Sequence, residues 1–248
     1  MIQKTDLNKC KSVALSFLYL DIDTSSQFAP LIVSHPFIEN PFTMNERKEI
    51  VNILEDSNAF NTVIERYKDR IKEIDEYKEF LCLITKPYRL AFLKYTLPYI
   101  DKKDLSEFLI EAWVLDEYAN NNANVTTNEL LEWFLSADKN YLMEQSENDF
   151  FNSLPDVVTI YRGVTDYNKG NKKALSWTLS KKTAKWFATR WNENGYIFEA
   201  KINKENIIAY CNKRNEQEII VDFNKIYELQ EYPNSQLVID NDDIDYDY

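Results

Sequence analysis

The chain has 248 residues, 44% hydrophobic, 14% aromatic and 28% charged, a globular composition that suits one large domain or two small ones. Its formal charge of −12 argues against an electrostatic grip on nucleic-acid phosphates. With one histidine, His35, and three widely spaced cysteines, Cys10, Cys82 and Cys211, histidine-rich metal sites, Ser-His-Asp chemistry and a disulfide framework fall away, and a reducing cytoplasm is expected.

The first apolar segment, SVALSFLYLDI (residues 12–22), reads as either a buried strand or a helix. It is too short to span a bilayer, and Asp21 and Asp23 stand where a signal peptide carries its small-residue cleavage site, so no membrane contact is expected. Pro30, Pro36 and Pro41 break the next stretch, and His35 reads as a loop or packing residue. TMNE (Thr43 to Glu46) reads as a capping box opening a helix through Ile50, Val51 and Leu54. Phe60, Val63, Ile64, Tyr67, Ile71 and Ile74 recur at helical spacing, and Pro87 and Pro98 bracket a shorter helix. DLSEFLIEAWVLDEYA (104–119) puts Leu105, Phe108, Leu109 and Trp113 on one face. TTNELLEWFL (126–135) opens on a second capping box, Thr126 with Glu129. Trp113 and Trp133 lie on these stripes and read as core.

After Pro155 the apolar period changes from helical to alternating. VVTIYRG (157–163), GYIFEAKI (195–202), NIIAYC (206–211), EIIVDF (218–223) and KIYELQEY (225–232) are strand candidates, with a short strand at Ser176–Thr178. One helix from about residue 181 lies between the first and second long strands. Ser180 is its N-cap and Ala184, Phe187, Ala188 and Trp191 are its apolar face, with Trp186 off that stripe, on the helix surface or in the cleft. The three glycines, Gly163, Gly170 and Gly195, form no G-x-G-x-x-G, Walker or G-x-S-x-G pattern. The tail from 234 holds five aspartates and no lysine or arginine, and reads as a solvated, disordered end.

Three polar features stand in this second half. Arg162 interrupts an apolar strand, where a guanidinium needs either a carboxylate partner or a cleft that receives an anion. Ser176 and Thr178 flank Trp177 at a strand end, where small hydroxyls orient neighbours. Glu216 and Glu218, in NEQEIIV, share one face where a loop enters a strand.

In this order the three features resemble the mono-ADP-ribosyltransferases of the R-S-E class, which include the arginine-specific transferases and clostridial binary-toxin enzymes. The resemblance covers roughly residues 155–225, with helices from about 100 similar to that family's helical lead-in. It implies an α+β fold: an N-terminal helical region (1–98), then an ADP-ribosyltransferase-like catalytic domain with a split, mixed β-sheet (99–233, lead-in 99–150 and β-rich core 155–233), then the tail (234–248). It implies NAD as co-substrate and no metal. Arg162 would bind its phosphates, the Gly163 backbone the nicotinamide amide, and Ser176 would hydrogen-bond Glu218; Thr178 belongs to the same NAD-contacting set. Glu218 would hold the nicotinamide ribose and stabilise the positive charge that develops as the glycosidic bond breaks, a task that suits a carboxylate in a shielded site. Glu216 would orient or deprotonate the nucleophile, and a glutamate at that position implies an arginine acceptor. Arg190 matches a phosphate contact of some members, or is a solvated helix-end charge.

Trp177 departs from the family's Ser-Thr-Ser pattern; by alternation it points away from Ser176 and Thr178 and is expected to pack beneath the sheet. The implied function is transfer of ADP-ribose to a protein side chain with release of nicotinamide. The chain would then be an intracellular toxin or a phage or mobile-element effector, its target chosen through the N-terminal helices; a toxin would come with a neutralising partner. Two alternatives stay open: an inactive binding module of the same fold, and an enzyme whose acceptor is nucleic acid or water, the latter an NAD glycohydrolase.

Overall fold

The computed structural model describes residues 4–25, 31–45, 47–116, 122–166, 168, 170, 173–190 and 195–233. Trp191, Glu46 and the acidic tail from 234 therefore lie outside the described residues. The chain is a mixed α+β protein that divides into two compact units, Met1–Val125 and Thr126–Tyr248.

In the first unit the ambiguous leading segment is a helix, α1 (Leu7–Leu18). The Asp6 carboxylate caps it, accepting from Lys9 N at 3.2 Å, and Cys10, Ala14, Phe17 and Leu18 form its buried stripe. The helix expected from TMNE does not form. Thr43 lies in β1 (Phe42–Met44), which pairs antiparallel with β2 (Ile50–Asn52). Turn chemistry decides this: the Asn45 side chain accepts from Arg47 N at 2.9 Å and Glu49 N at 3.0 Å, and Lys48 takes a positive φ of 64°. The helix begins later, as α2 (Ser57–Glu73), where Asp56 accepts from the backbone N–H groups of Asn58 and Ala59. Its buried face contains Val63, Ile64 and Ile71 from the expected stripe.

A 3₁₀ turn (Tyr77–Cys82), α3 (Arg89–Thr96) and α4 (Lys102–Leu115) complete the unit, with Pro87 and Pro98 each opening a 3₁₀ turn at either end of α3. Rings of Tyr77, Phe80, Phe92 and Phe108 centre the core, with centroids 4.7 Å apart for Phe80–Phe92 and 5.0 Å for Tyr77–Phe108. Because α4 packs on the 3₁₀ turn and α3, with Phe108 joining this aromatic cluster and Leu105, Leu109 and Trp113 buried, it belongs with the first unit, and the chain divides near 125 instead of 98. His35 is buried, its Nδ1 accepting from Phe37 N at 3.1 Å, and burial lowers its pKa.

The second unit opens with α5 (Thr127–Ser136), α6 (Lys139–Leu142) and α7 (Gln145–Ser153). Thr126 and Glu129 form the expected capping box on α5, and Trp133 is buried. The strands are β3 (Val157–Val164), β4 (Ser176–Thr178), β5 (Tyr196–Asn203), β6 (Ile207–Cys211), β7 (Glu218–Val221) and β8 (Tyr227–Pro233), with α8 (Lys181–Thr189) between β4 and β5.

They form one six-stranded sheet in the order β6-β7-β4-β3-β5-β8. Every pairing among the described residues is antiparallel, where a mixed sheet was expected. The α8 crossover carries the chain from β4 to β5, but these two strands flank β3 on opposite sides, so their parallel relationship is not an adjacent one. The sheet also has a seam. Between its halves β6-β7-β4 and β3-β5-β8 the strand register has a single pair, Tyr161 with Thr178.

The α8 helix lies directly on β3. Ala184 and Ala188 are fully buried against Tyr161 and Ile197, while Ser180 caps the helix by accepting from Thr183 N at 3.1 Å. That close approach explains two of the three glycines. A Cβ on Gly163 would overlap the Ala184 carbonyl and stand 2.8 Å from Ala188 N, and one on Gly195 would overlap the Val164 carbonyl. Among the described residues no helix is long and apolar enough to cross a membrane.

Candidate functional site

The strand order sets the motifs side by side. Arg162 on β3, Ser176 and Thr178 on β4, and Glu218 at the start of β7 occupy three consecutive strands. Arg162 stands beside the seam. Its Nη1 donates to the Ser176 carbonyl at 2.6 Å, and its Nε is buried without a hydrogen bond. Burial pulls its pKa down to about 10; the negative charge of Glu218 opposes that and the positive charge of Arg190 adds to it. It is still a cation at neutral pH.

Glu218 is buried, 4% exposed, directly across from Thr178 in the register. Ser176 is instead across from Ile220, and it engages Arg162 through its carbonyl, not Glu218 through its hydroxyl as the resemblance implies. The register accounts for the difference, since it sets Thr178, two residues on, opposite the carboxylate. Trp177 points the other way: it is 2% exposed and its Nε1 donates to the Ala174 carbonyl at 3.0 Å, so it builds the sheet's underside.

Thr178 also organises the loop that carries Glu216. Its Oγ1 donates to the Glu216 carbonyl at 2.7 Å and accepts from Ser180 N at 3.0 Å, while Leu179 N donates to the Gln217 carbonyl at 3.1 Å. Asn215 and Gln217, on either side of Glu216, take positive φ values of 54° and 46°. Such backbone costs roughly 1 kcal/mol or more for a non-glycine residue and persists only where surrounding bonds hold it. Here the restraint comes from Asn212, whose Oδ1 accepts from Gln217 N at 3.0 Å, and from buried Glu147 on α7, whose carboxylate accepts from Asn212 N at 2.8 Å.

Glu216 and Glu218 are joined by one guanidinium. Arg214 Nη2 lies 2.9 Å from Glu216 and 3.4 Å from Glu218. The Glu216 pKa is raised, first by burial and further by the charge of Glu218, against the lowering pull of Arg214 and Arg190. Arg190 therefore sits within electrostatic reach of both Arg162 and Glu216, with its guanidinium over the Phe187 ring at 5.1 Å. Trp186 is 58% exposed, on the outer surface of α8. Gly163 lies under α8, which supplies a packing reason for that residue whatever its backbone binds.

Arg214, Asn212 and Glu147 were not singled out from sequence. Arg214 had a local signal, a base two and four residues before the paired glutamates; Glu147 had none, standing 65 residues from the loop it holds. Among the described residues no group of three or more His, Cys, Asp or Glu side chains is placed to hold a metal ion.

The arrangement offers a buried carboxylate beside a second carboxylate, walled by cations. Such a pair can stabilise a developing positive charge and accept a proton, while Arg162 can take an anionic group. Comparison with protein-family models, with curated proteins and with solved structures gave no match.

Proposed function

We propose that the chain is an NAD-dependent mono-ADP-ribosyltransferase that modifies a protein side chain, with arginine as acceptor. The observation that carries this reading is the adjacency of Arg162, the Ser176–Thr178 strand and Glu218 on β3, β4 and β7, in the order the family resemblance requires. The orphaned Nε of Arg162 fits an anionic group such as a dinucleotide phosphate. NAD supplies the ADP-ribosyl group and gives up nicotinamide.

The remaining work falls to this chain. Arg162 and Arg190 hold phosphate charge, the loop pinned by Thr178 keeps Glu216 beside Glu218, and Glu218 presents a fixed negative charge where positive charge develops. Glu216, whose pKa is raised, takes the acceptor's proton. We assign target selection to the first unit, Met1–Val125, leaving the second for NAD. The test is nicotinamide release from NAD, with agmatine as a small guanidinium acceptor, compared with Glu218→Gln. Release that disappears in the variant supports the reading; no release from the parent chain overturns it in favour of a binding module.

A further inference from the structure

The net charge of −12 conceals a local reversal. Between Asp166 and Glu193 the sequence has no acidic residue, yet this window, 167–192, holds seven of its lysines and arginines. Lys181, Lys182 and Lys185 of that set lie on α8, and exposed Lys173 precedes β4. The apolar side of the helix is already used, since Ala184 and Ala188 are fully buried against the sheet; it is therefore not available to enter a bilayer. Lys181 lies over the sheet, its ammonium 5.7 Å from the centre of the Tyr161 ring. Lys182, Lys185 and Trp186 stand three and four residues apart, adjoining positions on the outer face. Lys182 is exposed, and Trp186 is 58% exposed although its ring meets Phe187 edge-on at 4.9 Å.

A surface of carboxylates would need only the lysines of this face and would leave the indole in water. A nucleic-acid strand uses both, because its phosphates meet the ammonium groups and its bases stack on the aromatic ring. Stacking requires bases whose faces are open, which a duplex hides. Lys182 and Trp186 are about 6 Å apart along the helix axis, so one short stretch of strand reaches both.

We propose that the outer face of α8 is a binding site for single-stranded nucleic acid, with Trp186 as the stacking platform and Lys182 and Lys185 as phosphate contacts. It tethers the chain to a strand, with β4 and the candidate site next to the start of the helix. The contact needs no NAD and no turnover, and it stands apart from the transferase chemistry.

The experiment mixes the full chain, without NAD, with end-labelled oligothymidylate or oligouridylate and follows fluorescence anisotropy across a salt series. The variants are Trp186→Ala, Trp186→Phe and the double substitution Lys182→Gln with Lys185→Gln, all on the outer face, so thermal midpoints should stay at the parent value. Binding of either strand should weaken about 5- to 100-fold in Trp186→Ala and be largely kept in Trp186→Phe. Each lysine removed should flatten the slope of log affinity against log salt by about 0.7. That set of results supports the proposal. Binding of neither strand overturns it. Binding that Trp186→Ala leaves unchanged also overturns it, as does equal competition by a duplex or by polyglutamate, because the face is then a general anion surface. Nicotinamide release, measured separately with NAD present, is unaffected by any of these outcomes, so the transferase reading stands or falls by itself.

Discussion

The Thr178 hydroxyl donates to the main-chain oxygen of Glu216 at 2.7 Å, so the strand that faces Glu218 also fixes the position of the other carboxylate. The same hydroxyl oxygen accepts from the backbone N–H of Ser180, the cap of α8. One small side chain thus ties together β4, the loop before β7 and the start of the helix.

Replacing Thr178 with Val keeps the shape and removes the hydroxyl. The Glu216 carbonyl and the Ser180 N–H lose their partner, at a cost of about 1–3 kcal/mol for buried polar groups left unpaired. The expected outcome in thermal unfolding is a lower midpoint. In kinetics, transfer to agmatine should fall further than NAD hydrolysis, because Glu216 is displaced while Glu218 keeps its place in β7. Equal losses in the two reactions would count against a role for Glu216 at the acceptor.

Gly163→Ala tests the contact between β3 and α8. The added carbon meets backbone, which cannot rotate away as a side-chain tip can, so the overpacking cost should reach or exceed about 1–3 kcal/mol. Gly170→Ala is the control, since the methyl it adds has nothing within 4 Å and the substitution should be neutral or slightly stabilising. Urea titration of the two variants measures both, and equal midpoints would refute the close packing of α8 on β3.

Much of this architecture was legible because the signals were local. Alternating apolar residues marked each long strand of the second unit, and Ser180 and Thr126 marked helix starts that the structure keeps. TMNE misled because Asn45 makes turn bonds whose strength depends on the hairpin closing, which no capping pattern reveals. The sequence order of Arg162, Ser176 and Glu218 was plain, yet which hydroxyl faces Glu218 depends on a register set across strands far apart in the chain. Neither the seam at Tyr161–Thr178 nor the support from Glu147 leaves a trace in nearby residues.

Arg162→Lys keeps the positive charge but loses the planar fork. Charge-assisted bonds to an anion contribute roughly 1.5–3 kcal/mol each, so losing one should raise the KM for NAD by about 10- to 100-fold. The kcat should change much less, since Glu218 is untouched. Steady-state nicotinamide release across NAD concentrations separates the two parameters. A fall in kcat with KM unchanged would assign Arg162 to holding Glu218 in place instead of holding phosphate.

Glu216 makes one contribution to the pH dependence. Its folded pKa is raised, mainly by burial, so the folded chain binds that proton more tightly than the unfolded chain does. The resulting stabilisation is complete below the ordinary carboxylate pKa and is lost as pH rises through the raised value. Relative to Glu216→Gln, the parent chain should therefore gain stability as pH falls from neutral through that window, and urea midpoints measured across it show the gain. Under the transferase reading activity should run the opposite way, because a protonated Glu216 could not accept the acceptor's proton. Transfer to agmatine should lose rate on acidification at a pH above the usual glutamate range. In Glu216→Gln that acid limb should vanish along with most of the transfer, while NAD hydrolysis keeps its own profile. An acid limb that survives unchanged in the variant would assign the titration to another group and remove Glu216 from the proton transfer.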